Sequence, residues 1–202
     1  MLDNVWKLNG GLRYDYVVLQ TSDYFDWYAT PQNNNTNEYV QRAMAIEKRF
    51  DNVSWALGAV AKHENAIWKI NVGKSFRTPT AKELASNGIN YHMYRYECGD
   101  ASLSAEISYQ LDMQLTLNKA KWQFEISPFA NYFPNYIYLN PTALYHEAQQ
   151  IYNYSESEVF RAGGEMLVDY NLNKQWKFSA DIEYIFSQQL SGAKKDYTLP
   201  FS

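Results

Sequence analysis

The chain has 202 residues, enough for one domain with a sizeable core, and 17 % of them are aromatic (18 Tyr, 10 Phe, 6 Trp) although mean hydropathy is −0.52. Its 18 basic and 22 acidic residues are interspersed and sum to a net charge of −4, which excludes the broad basic field that nucleic-acid capture requires. A single cysteine, Cys98, excludes an internal disulfide, and no Cys/His cluster has the spacing of a structural zinc site.

In chain order, Met1 to Trp6 has neither the basic start nor the apolar centre of a signal peptide, so the native N-terminus is expected elsewhere. No stretch reaches the ~18 apolar residues of a spanning helix, but a barrel strand crosses with ~9–11 alternating residues and gives no hydropathy peak. Period-two alternation predicts seven long strands, beginning with 10–20 (Leu12, Tyr14, Tyr16, Val18), 52–63 (Val53, Trp55, Leu57, Ala59) and 66–77 (Trp68, Ile70, Val72, Phe76). The cleanest is 107–118, where Ile107, Tyr109, Leu111, Met113, Leu115 and Leu117 alternate with polar residues, longer than a soluble strand's usual ~5–6 residues. Next come 122–132, with an irregularity expected at Pro128, then 159–172 and 176–187. Short helical turns are allowed at 37–48 and 80–85.

The connections are short at 64–65, 118–121 and 173–175 and long at 21–50, 78–103 and 139–158, so one rim is trimmed and the other elaborated. Trp68, Trp122 and Trp176 follow the short turns at equal spacing, and Trp6 opens the first strand in the same manner, as a membrane-interface ring requires. The opposite face carries charges such as Arg13, Asp15, Lys69, Asp112, Glu125, Arg161, Glu165, Asp169, Asp181 and Glu183, read as a mainly salt-paired lumen. A soluble β-sandwich that binds a ligand or carbohydrate also alternates and is the alternative, but strand length, loop rhythm and rim tryptophans favour an all-β, antiparallel up-and-down transmembrane barrel segment. A passive porin is the third reading. No catalytic signature survives: Gly73-Lys74-Ser75 lacks the upstream glycine of a phosphate-binding loop, and the chain is expected not to be an enzyme.

Several motifs resemble the TonB-dependent outer-membrane receptor family, in that family's order. They are Gly11-Leu12-Arg13-Tyr14-Asp15, the box from Gly73 through Phe76, Arg77 and Pro79 to Glu83 and Leu84, the segment Gly99 to Leu103 with Glu106, Asn131-Tyr132 with Asn135-Tyr136-Ile137, Gly164-Glu165, and the closing 197–201. Thr78, Ala101, Ala105 and Cys98 depart from the family's usual residues. The resemblance implies that 1–202 is part of a 22-stranded, plugged barrel, with plug, signal peptide and C-terminal strands lying elsewhere. It implies a Gram-negative outer-membrane location, contact with outer-membrane lipid, coupling to the TonB–ExbB–ExbD system through the plug alone, no resident cofactor, and uptake of an iron chelate or haem.

The ligand is expected at the long loops, through Tyr91, His92, Tyr94, Arg95 and Tyr96 in 78–103, and Tyr145, His146 and Tyr152 in 139–158. Haem receptors of the family place an axial histidine between the Arg77 and Leu103 boxes, and the resemblance makes His92 the candidate haem ligand; no firm metal site is expected.

Overall fold

The structure, a computed structural model, describes residues 5–28, 38–146 and 148–192. Among these, seven long strands form where alternation predicts them: β1 (Val5–Thr21), β4 (Ile46–His63), β5 (Ala66–Arg77), β8 (Glu106–Asn118), β9 (Trp122–His146), β10 (Gln149–Asn171) and β11 (Lys177–Gln189). Four short strands occupy the long connections: β2 (Tyr24–Tyr28), β3 (Glu38–Ala43), β6 (Asn87–Asn90) and β7 (Arg95–Cys98). The long strands pair antiparallel in the order β1-β4-β5-β8-β9-β10, with β11 on the far side of β10. The sheet does not close on itself. No helix among the described residues is long and apolar enough to cross a membrane, which says nothing of crossing by strands. The closing motif at 197–201 lies outside the described residues.

Register converts the alternation into two faces. Trp6, Ala61, Trp68, Leu115, Ile126, Met166 and Ile182 stand opposite one another in one row across all seven strands. Side chains on this face are large, apolar and open: Leu8 is 82 % exposed, and Leu57 and Ile182 are each 58 % exposed. Water does not tolerate so broad an apolar surface, whereas lipid does. From Leu117 to Tyr109 on β8 the belt runs ~26 Å along the strand, or ~20 Å along the normal at a ~40° tilt. Its lower edge carries the exposed indoles Trp6, Trp68, Trp122 and Trp176, with Trp122 4.2 Å from the Tyr170 ring, and Tyr109 stacks on Tyr132 higher up. The other face holds rows such as Gly11, Ala56, Gly73, Gln110, Asn131, Arg161 and Ser187, and pairs such as Lys177–Asp169 at 2.8 Å.

Four expectations change. The segment 139–158 is not a loop: β9 and β10 run on as one hairpin, with Ala148 at φ 64 just before β10 begins. Its Tyr, Thr and Ile residues extend readily, and each strand supplies the other's backbone partners. Residues 38–43 and 46–48 are strand, not helical turn; in the first, Tyr39 and Gln41 pair with Trp27 and Phe25, whose rings pack on Tyr39 at 5.3 and 5.6 Å. The turn at 80–85 does form a helix, α1 (Ala81–Ala85). Pro128 lacks the N–H for the ladder, but pairing with β8 keeps its register across it; the shifts come instead between Gln150 and Tyr152 and opposite 157–159, where β9 holds an extra residue between Phe133 and Tyr136. Phe76, placed by alternation on the outer face, packs into a buried cluster.

That cluster lies above the belt, on the side of the long connections. Phe50, Leu84, Leu103, Ala105 and Ile137 are buried there, with Val17, Leu19, Ile46, Phe76 and Tyr154 against them. Val17, Leu19, Ile46 and Phe50 belong to the inner register of β1 and β4, whereas Phe76 and Tyr154 belong to the outer register of β5 and β10. The upper ends of the strands therefore converge by opposite faces, with Leu84 of α1 among them. This is possible because β4 and β5 stop pairing after Trp55 and Lys74 while β5 stays with β8 up to Arg77 and Glu106.

Candidate functional site

The residues of the family boxes assemble into one support for the 78–103 segment. Arg77, at the end of β5, donates to Glu83 of α1 at 2.8 Å and to Glu106 of β8 at 3.0 Å. Glu106 also accepts the Ile137 backbone N–H at 2.8 Å, so one guanidinium and one carboxylate tie β5, α1, β8 and β9 together. Thr80 caps α1 by accepting from the Glu83 N–H, while the Glu83 carboxylate accepts from the Thr80 N–H. Pro79 is buried at the approach to the cap, and Leu84 and Leu103 are 0 % and 1 % exposed. Gly99 lets the returning chain touch the end of α1: its N–H donates to Ser86 O at 2.7 Å, and a Cβ there would sit 2.7 Å from the Ala85 nitrogen. Lys48 completes the support by donating to the carbonyls of Ala101 (2.7 Å) and Leu103.

Held in this way, the segment reaches the far edge of β10. There β7 pairs parallel with β10 through Ile151–Tyr96, Tyr152–Glu97 and Asn153–Cys98, just beyond the end of β11, and β6 pairs with β7. The two predicted ligand segments, far apart in sequence, thus become one surface. The Tyr96 and His146 rings lie 4.6 Å apart, and the Arg95 guanidinium stands 5.1 Å over the Tyr152 ring. The turn 91–94 between β6 and β7 projects from it: Tyr91, Met93 and Tyr94 are 55 %, 59 % and 79 % exposed, His92 is exposed, and Tyr94 has φ 49. Tyr145, 67 % exposed, lies near the tip of the β9–β10 hairpin beside His146. His92 thus stands at an exposed turn, separate from the Tyr96–His146 pair. Among the described residues no three His, Cys, Asp or Glu side chains gather as a metal site.

Beneath the rim sits a carboxylate that nothing in the sequence singles out. Glu97 is 2 % exposed and accepts from Lys82 Nζ (2.5 Å), Arg95 Nε (2.7 Å) and Asn90 Nδ2 (3.0 Å). Burial by itself raises a carboxyl pKa, but the hydrogen bonds from Lys82, Arg95 and Asn90 outweigh it and hold Glu97 below its ordinary value. The same bond raises the Lys82 ammonium above its ordinary value against the effect of burial, and burial followed by the Glu97 charge raises the Tyr154 phenol. Asn135, the other residue whose role was not legible, uses its side chain as a length of strand: Oδ1 accepts the Ile107 N–H at 3.0 Å and Nδ2 donates to Ala105 O at 2.8 Å where β8 and β9 part. A polar residue after Pro134 inside an alternating run is the signal of such a bulge. A lone carboxylate in a polar loop carries no such signal.

The rim offers phenols, imidazoles, a thioether and a guanidinium on a braced scaffold, chemistry suited to gripping an aromatic or anionic chelate and not to turning one over.

The family model for the TonB dependent receptor-like β-barrel matches residues 2–202. Among solved structures, the copper transporter OprC superposes with a TM-score of 0.74 at 20 % identity, over 96 % of this chain and 28 % of OprC. The Serratia marcescens hemophore receptor HasR, solved as a double mutant with its hemophore and heme, gives 0.62 at 18 % identity over 92 % of this chain and 32 % of that one. The siderophore receptor PirA from Pseudomonas aeruginosa gives 0.58 at 15 % identity over 94 % and 44 %. No curated protein is matched by the sequence. At these identities the structures speak for the fold, and the chain spans less than half the length of each. The family is one of receptors, not enzymes. With a family match over essentially its whole length and a sheet that superposes on receptor barrels, the chain belongs to the TonB-dependent receptor β-barrel family.

Proposed function

We propose that the chain supplies part of the wall and outer rim of an outer-membrane uptake receptor that captures a scarce metal complex, an iron chelate or haem, outside the cell. The pairing of β7 with β10 carries this reading, because it joins Arg95, Tyr96, His146 and Tyr152 into one braced surface and projects Tyr91, His92 and Tyr94 beyond it. In this reading 1–202 is a partial barrel of the receptor; a plug encoded elsewhere closes the lumen and engages the TonB–ExbB–ExbD system, and lipid surrounds the apolar belt. That solved receptors of this fold include a copper transporter, a hemophore receptor and a siderophore receptor supports a metal-bearing cargo.

The test is titration of the detergent-solubilised chain with hemin and with a ferric catecholate, followed by visible absorption and tryptophan quenching. Haem capture predicts a shifted Soret band that His92→Ala abolishes. Chelate capture predicts quenching that Arg95→Ala weakens about tenfold and His92→Ala leaves alone. Absence of saturable binding to either overturns the ligand assignment.

A further inference from the structure

The lower belt contains a notch that ordinary sheet packing does not need. In the row Trp6–Ala61–Trp68 and the row above it, Leu8–Ala59–Ile70, β4 contributes only alanines while its neighbours β1 and β5 contribute indoles and branched aliphatics. Adjacent strands lie ~4.8 Å apart, so the β1 and β5 backbones stand about 10 Å apart across β4. Two indoles rising from them leave a channel over the alanine floor the width of one hydrocarbon chain. The structure shows it as a groove of about 480 Å³ lined by Trp6, Ala59, Ala61, Trp68, Ile70 and Met113, with the basic residues Lys62, His63 and Lys69 also in its lining.

The short-turn rim beside it is cationic. Lys119, Lys121 and Lys174 stand exposed in the short turns and Lys62 flanks another, against one carboxylate in those turns, Glu64. An apolar channel in the lipid-facing belt that opens onto ammonium groups at the interface matches an acyl chain joined to an anionic headgroup, both in polarity and in order along the membrane normal. The chain reversal at 64–65 contains no lysine and depends on backbone, with Glu64 at φ 42.

We propose that the Trp6–Trp68 groove binds one acyl chain of an anionic phospholipid, whose phosphate sits at Lys62 and His63. The site rests on the membrane-facing reading of the belt, and the experiment separates the two. The detergent-solubilised chain is titrated with phosphatidylglycerol and with phosphatidylcholine in native mass spectrometry, and quenching by brominated-acyl phosphatidylglycerol is measured in vesicles. The expected result is one retained phosphatidylglycerol, bound about tenfold more weakly by Ala59→Phe and Ala61→Phe, with Lys62→Gln erasing the preference over phosphatidylcholine. Ala180→Phe, which adds the same bulk to the outer face of β11, leaves retention unchanged. Equal retention by Ala61→Phe and Ala180→Phe, with bromine quenching intact in both, overturns the groove and leaves the lipid-facing belt standing. Absence of bromine quenching in the unmodified chain overturns both.

Discussion

Replacing Glu97 by Gln removes the charge that binds α1, β6 and β7 into one unit while keeping the side chain's shape. Removing one partner of a buried charge pair costs about 3–5 kcal/mol when the remaining charge stays buried. Here Lys82 is 52 % and Arg95 25 % exposed at the side chain, so both rehydrate in large part, and the loss falls to about 2 kcal/mol. Glu97 lies outside the ladders that join the long strands to one another, in the short β7 ladder on β10, so the loss is local: opening of 87–103 becomes about 30-fold more frequent while the strands β1, β4, β5, β8 and β9 keep their stability. Amide hydrogen exchange read by mass spectrometry measures this directly. The pH dependence has a fixed sign. The folded pKa of Glu97 is depressed, so its contribution is present above the ordinary carboxylate value and is lost as pH falls through the depressed folded value. Acid therefore makes the unmodified 87–103 segment exchange like the Glu97→Gln variant, which itself shows a flatter response over that range. Equal exchange in the two proteins at neutral pH would refute the assignment of Glu97 as the brace of the rim.

Leu84→Ala empties a fully buried position at the centre of the upper cluster and is expected to cost about 2–4 kcal/mol, read as protease sensitivity of the 78–103 segment. Gly99→Ala places a methyl 2.7 Å from the backbone of α1 and should release α1 from the 99–103 return, measured as faster exchange at the Gly99 and Asp100 amides. Leu111→Arg on the outer face of β8 should cost about 2–4 kcal/mol in urea unfolding from vesicles, whereas Gln110→Arg, one residue away on the inner face, should change stability by under about 0.5 kcal/mol.

The long strands were legible because alternation is a local property, and the belt, the rim tryptophans and the inward charges follow from the period of two. The family boxes were legible as motifs, but their physical role was not: that Arg77 bridges Glu83 and Glu106, and that Gly99 lets the chain return against α1, depends on contacts between residues far apart in sequence. For the same reason the sequence could name Arg95, Tyr96, His146 and Tyr152 as loop residues but not pair them, since the parallel ladder of β7 on β10 leaves no periodic trace in four residues. The misreading of 139–158 as loop came from treating the end of the membrane span as the end of the strand. Phe76 was misplaced because alternation assigns a face but does not foresee that β5 parts from β4 above Lys74, allowing the outer register to turn into a core. Glu97 gave no signal at all, since a carboxylate in a polar segment is ordinarily solvated.

The central claim is that one face of this sheet lies in lipid and the other faces a polar lumen. Single cysteines introduced at Leu111, Asp112, Met113, Gln114 and Leu115 in a Cys98→Ser background, spin-labelled and reconstituted in vesicles, test it by relaxation with oxygen against a water-soluble nickel chelate. The account predicts that oxygen contact peaks at 111, 113 and 115, with nickel contact peaking at 112 and 114. Accessibilities that rise and fall together along the strand, or nickel contact at every position, would contradict it.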